Sequence, residues 1–232
     1  FHCYDLAKGK SIFKNFQLEE KYWIGIEKIY QDKIIFHHFA KPDMPEHKKI
    51  IVYDILENKI LWQNNDYTFL TILDDKVYAF RKKFEGRDVY ILDFKTGETV
   101  AELGSNAKEV NEILQKLNNE DYSDYSDPEN FTGFEDEKIL ATINKEVGNM
   151  ENINNLEKLV YNDLLLFNYH IKTKNNSLDN VFAVYNIDKK KKLLSEIINK
   201  NITLFSPDSF FCYKNNLLLL KNKVELISYK LV

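Results

Sequence analysis

Residues 30–38 read YQDKIIFHH and residues 161–169 read YNDLLLFNY, with a third version, LDDKVYAFR, at 73–81. In each, a polar pair containing Asp precedes a run of aliphatic and aromatic residues. Asp and Asn favour tight turns because their short side chains bond nearby backbone amides. The apolar run that follows suits a short strand covered by packing. Extending the alignment adds EKILATI from Glu137 and NNLLLLK from Asn215, which gives five strands that begin alike.

A second phrase follows most of them: FHCYDLAKGK at 1, IIVYDILENK at 50, VYILDFKTGE at 89, VFAVYNIDKK at 181 and the shorter ELISYKLV at 225. It reads as strand, turn, strand. Lys8 and Gly9, Glu57 and Asn58, Thr96 and Gly97, and Asp188 and Lys189 occupy the turns, where Gly or Asn accepts the positive φ of a tight hairpin. Asp5, Asp54, Asp93 and Asn186 share one place before the turn and are expected to cap it rather than to perform acid chemistry.

Successive members of this column lie 49 and 39 residues apart, and Asn186 follows Asp93 by 93. A period of about 40–50 residues holding four short strands is the pattern of propeller blades. DYTFLTIL, DKVYAFR, RDVYILDF and ETVAEL make one full unit. The expected fold is therefore all-β: a single β-propeller-like domain, 1–232, of about five four-stranded units, incomplete or irregular, with one helical insertion. A β-sandwich with an irregular insert is the alternative. The chain starts inside a unit at FHCYDL and stops after ELISYKLV, so ring closure and an upstream part are both left open.

IIVYDILENKILW, ending in Trp62, resembles the repeat of quinoprotein-type (PQQ-type) β-propellers, and VYILDFKTGETV is a second copy with Val100 where that repeat favours Trp. The resemblance implies the propeller fold. The acidic, basic and calcium-binding positions of the quinone enzymes have no counterpart here, so no quinone or other cofactor is expected. The whole chain, with YWIGIEKIYQDKIIFHHFAKPDMPEHKKIIVYDI as its most distinctive stretch, is also similar to an uncharacterised bacterial family of domains of unknown function, which implies no activity.

The chain has 232 residues, 44% of them hydrophobic and 14% aromatic, enough for a core and contrary to global disorder. Its net charge of -4 and scattered bases do not make a nucleic-acid footprint. The run Lys189–Lys192 reads as a solvated hairpin turn. Cys3 and Cys212 cannot form a disulfide framework and are expected as free, partly buried thiols, with one bridge between the ends left open. No apolar run approaches the ~18 residues of a membrane span. A cytoplasmic location is slightly favoured, with the cell envelope open if a leader has been removed.

The repeat is interrupted at 105–137. NAKEVNEILQKLNN sets Val110, Ile113, Leu114 and Leu117 on one helical face, which predicts a helix over 106–118. An acidic loop, 120–137, follows. Ten acids against Lys108 and Lys116 in 105–137 predict a solvated, mobile insertion, and the spacing of Asp121, Asp124 and Asp127 is not that of a calcium loop.

FHHFAKPDMPEHKK at 36–49 is the one stretch with the residues of a metal or catalytic site: His37, His38, Asp43, Glu46 and His47. His37 and His38 are adjacent on a strand and point to opposite faces, so at most one joins a shared site. Gly-rich phosphate loops and a Gly-x-Ser-x-Gly elbow are absent from the sequence. Trp23 and Gly25 are expected in the packing between units. Trp62, Ile51, Val77, Ile91, Leu165 and Phe182 are expected in the core.

The sequence thus points to a non-enzymatic binding or scaffold module, meeting a protein partner or small ligand at one end of the β-body. The alternative is a metal-dependent hydrolase, or another small-molecule enzyme, built on the 37–47 residues.

Overall fold

A computed structural model describes residues 1–41, 44–117, 121–133, 136–148 and 155–232. The chain is mostly strand, with two helices and several antiparallel sheets, and no sheet closes into a barrel among the described residues. It divides into two compact units, 1–120 and 121–232.

The first unit opens with the hairpin β1 (Cys3–Asp5) and β2 (Lys10–Phe13). A four-stranded sheet follows: β3 (Ile24–Tyr30), β4 (Lys33–Lys41), β5 (Met44–Asp54) and β6 (Lys59–Asn64), each paired with the next in sequence. The second four-stranded sheet repeats that order with β7 (Thr68–Leu73), β8 (Lys76–Lys82), β9 (Arg87–Asp93) and β10 (Thr99–Gly104), before α1 (Ala107–Leu117).

In the second unit β11 (Tyr125–Ser126) and β12 (Glu129–Asn130) precede α2 (Glu137–Val147). Then come β13 (Glu157–Tyr161), β14 (Leu164–Lys172), β15 (Leu178–Asn186) and β16 (Lys191–Ile202). The last strands are β17 (Phe210–Tyr213), β18 (Asn216–Lys221) and β19 (Glu225–Lys230). β12 joins the edge of the β13–β16 sheet, and β11 joins β17–β19, so residues of the acidic stretch supply an edge to each sheet.

The recurring turns explain the recurring strands. Tyr30 pairs with Lys33, Leu73 with Lys76, Tyr161 with Leu164, and Tyr213 with Asn216, which leaves a two-residue loop each time. Gln31, Asp74, Asn162 and Lys214 begin these loops at φ of 53°, 50°, 55° and 52°. Such left-handed residues match the twist of the flanking strands.

The Asp column caps the second turn. Asp54 Oδ1 accepts from the Leu56 and Glu57 amides at 2.9 and 2.8 Å, and Asp93 Oδ1 from those of Lys95 and Thr96, both at 2.9 Å. Asp5 Oδ1 accepts from the Lys8 amide at 3.0 Å, and Asn186 Oδ1 from the Lys189 amide at 2.8 Å.

The core lies between faces of neighbouring sheets. Ile35, Ile50, Val52 and Trp62 meet Ile72, Val77, Ala79 and Leu92 across the two four-stranded sheets of the first unit. The opposite face, with Ile34, Phe36, Ile51 and Tyr53, packs on Phe13 and Phe16 beside the first hairpin. Consecutive Ile34, Ile35 and Phe36 are all buried because β4 is covered on both sides. In the second unit, Leu166 and Phe182 meet Phe210 and Leu219, while Phe167, Ala183 and Tyr185 take the apolar face of α2.

Trp62, Ile51, Val77, Leu165 and Phe182 are buried as expected, whereas Ile91 is half-buried. Trp23, expected inside, is 42% exposed. Both cysteines are free.

One element differs in kind. EKILATI from Glu137 reads as a fifth copy of the strand, but these residues open α2, so the described residues hold two helices where one was expected. The physical reason lies just outside the phrase. Asp136 Oδ1 accepts from the Lys138 amide at 2.8 Å as an N-cap, and Ile139, Ile143 and Val147 recur every four residues toward the sheet.

Candidate functional site

A partly buried polar cluster forms on β3, β4 and β5, at the end of the sheet away from the Gln31–Asp32 turn. His37 shares a face with Ile35 through strand alternation and is 3% exposed. His47 stands opposite Phe39 in the β4–β5 register. Three bulges shape the region. One in β3, between Ile26 and Lys28, leaves Glu27 without a register partner; the other two lie between Phe36 and His38 and between Phe39 and Lys41. β5 sets Lys49 and Ile50 against the single His37, and Lys49 takes a φ of 62° to do so. Bulges of this kind re-aim side chains.

Their effect is to bring Glu27, His37 and His47 together, with one donor atom from each lying within 4.8 Å of the others. Glu27 Oε1 is 2.8 Å from His47 Nδ1, in hydrogen-bond geometry, and 3.1 Å from His37 Nδ1. The two imidazoles stack, with centroids 3.6 Å apart and planes 10° from parallel. Phe39 meets both rings edge-on. Gly25, directly opposite His37, makes room for it: a Cβ there would stand 2.6 Å from His37 Cε1 and 2.7 Å from Nε2.

The electrostatics follow from burial. Desolvation, with repulsion from His47 and His38 added, lowers the His37 pKa to about 4, so the ring is neutral near pH 7. Desolvation raises the Glu27 carboxyl above its ordinary range, against the pull of His47. Both His37 ring nitrogens are enclosed and lack a hydrogen-bond partner.

The residues of the 36–49 stretch are thus divided. His37 and His47 converge. His38 points to the other face, into a groove of about 310 Å³ shared with Glu20, Lys49 and Gln63, where burial and then Lys49 lower its pKa. Glu46 pairs with Lys82 at 2.6 Å. Asp43 lies outside the described residues. Glu27, absent from the sequence expectation, completes the set. Its one signal is Gly25, two residues earlier, since a glycine within a strand often marks a close approach.

Residues 1–62, which contain the whole cluster, are similar to a family described as a domain of unknown function, DUF4905. No curated protein matches the chain. No helix among the described residues is long and apolar enough to cross a membrane.

Proposed function

We propose that the chain is a non-enzymatic binding or scaffold module, a single propeller-like domain whose sheets are blades of the quinoprotein-type repeat. The observation that carries this reading is recurrence in both units: a two-residue hairpin, then a turn capped by Asp or Asn, joining strands paired in chain order. Loops at the end of such a body offer a surface to a protein partner or a small ligand. The rim before β3 favours this use, since Tyr22 and Trp23 are 83% and 42% exposed and are held by Glu20, whose carboxylate accepts from both of their amides. Exposed large aromatics are enriched at binding surfaces.

Small-angle scattering tests the architecture. One compact body of this length has a radius of gyration of about 17 Å. Two units held apart by a linker would give a markedly larger value and end the single-domain reading.

A second reading, a metal-dependent hydrolase, is favoured by the convergence of Glu27, His37 and His47. Turnover of nitrophenyl esters and phosphoesters by the zinc- or manganese-supplemented chain separates the two. The binding reading predicts rates equal to those of Glu27→Gln. Saturable turnover abolished by Glu27→Gln would establish the hydrolase.

A further inference from the structure

We infer that Glu27, His37 and His47 are the protein ligands of a divalent d-block cation, zinc in first place, that ties β3, β4 and β5 together. The inference stands apart from the propeller reading, because it rests on three strands of one sheet.

Separation is the first argument. Ligands bonded to one ion at ~2.0–2.2 Å in a tetrahedral set stand roughly 3.3–3.6 Å apart, a spacing the three donor atoms reach by opening a few tenths of an ångström. Glu27 Oε1 stands 2.8 Å from one imidazole nitrogen and 3.1 Å from the other. The shorter distance is a hydrogen bond in its own right; the longer is not, since His37 lacks hydrogen-bond geometry to any group. A buried ring nitrogen left unpaired is unfavourable, and a cation on its lone pair would remove that cost.

Construction is the second argument. A lone buried histidine could be accommodated by an apolar wall. Here the chain gives up regular pairing in β3 to turn Glu27 inward, and keeps Gly25 where any side chain would strike the His37 ring. Both features serve the convergence of three donor atoms; because parallel rings 3.6 Å apart cannot both hold one ion in their planes, loading requires the partly exposed His47 ring to turn out of its stack with His37.

Donor chemistry selects the ion. Two imidazoles and one carboxylate suit zinc and its first-row neighbours, whereas magnesium and calcium prefer oxygen alone. Three protein ligands leave a fourth position for water or an exogenous ligand. It would open past His47, whose side chain is 38% exposed and borders a groove shared with Thr68, Phe80 and Lys82.

The test is a zinc titration of the full chain, freed of metal with a chelator and carrying no affinity tag, by calorimetry and by competition with a chromogenic chelator. One equivalent is expected. Loss of a supporting outer residue already weakens metal sites about 10–100-fold, so Glu27→Gln and His47→Ala should each weaken binding by at least that factor, and His38→Ala should leave it unchanged. Glu27→Gln preserves shape and His47 is partly exposed, so both variants should fold. The imidazole NMR signals of the wild-type chain provide a second readout, with two histidines shifting together at one equivalent. Absence of stoichiometric binding, binding that survives either substitution, or an equal loss in His38→Ala would overturn the assignment.

Discussion

Gly25→Ala probes the packing that builds the cluster. Gly25 is not among the glycines at positive φ, so its backbone conformation does not require glycine. Its role is spatial. An added Cβ would meet His37 Cε1 at 2.6 Å, closer than real contacts allow. The His37 ring cannot recede, because His47 lies stacked on it at 3.6 Å and Phe39 meets its edge at 4.8 Å. Overpacking of this kind costs ~1–3 kcal/mol. Removing a glycine from the unfolded chain offsets ~0.4–1 kcal/mol of that, so steric strain wins and the net loss is about 1–2 kcal/mol. For a chain of this size such a loss lowers the melting temperature by roughly 2–8 °C.

Thermal unfolding followed by circular dichroism of the metal-free protein measures it. Combining the change with His37→Ala removes the clash, so the double variant should be less destabilised than the sum of the singles by about 1 kcal/mol. A Gly25→Ala protein as stable as wild type, or strictly additive effects in the pair, would refute the placement of His37 over Gly25.

Asp54→Ala removes the acceptor for two turn amides and the partner of Lys33, 3.0 Å away, and should cost about 1–2 kcal/mol in thermal unfolding, whereas Asp54→Asn keeps an acceptor and should cost less. His170 in β14 is 3% exposed, accepts from the Ser206 amide at 3.1 Å, and has its pKa lowered by burial. The unfolded chain therefore takes up a proton on this residue first, and His170 contributes a loss of stability as pH falls below ~6.5. Urea unfolding between pH 7.5 and 5 should show a shallower decline for His170→Gln than for wild type. Trp62 is buried and donates from Nε1 to the Phe94 carbonyl at 2.8 Å, while Trp23 is exposed. Iodide should therefore quench much of the wild-type emission but little of that from Trp23→Phe.

Four of the five strand copies, and all four capped turns, were legible because their causes are local. A two-residue loop at positive φ and an Asp bonding amides two and three residues ahead depend only on neighbouring residues. EKILATI misled because its seven residues fit either period; Asp136 before it and Val147 after it decide for helix. Glu27 was hidden for a different reason. Counting outward from the Tyr30–Lys33 pair in a regular hairpin sets Ile26 opposite His37 and leaves Glu27 facing away. The bulge between Ile26 and Lys28 shifts the register by one, so that Gly25 takes that place and Glu27 turns inward. Glu46 appeared as a ligand candidate because its partner, Lys82, comes from a different sheet.

X-ray absorption at the zinc K-edge of the full chain loaded with one equivalent tests the central claim most directly. The account predicts a first shell of nitrogen and oxygen at about 2.0–2.1 Å with outer-shell scattering from two imidazoles, falling to one imidazole in His47→Ala at the same loading. A shell of oxygens alone, or two-imidazole scattering that persists in His47→Ala, would contradict it.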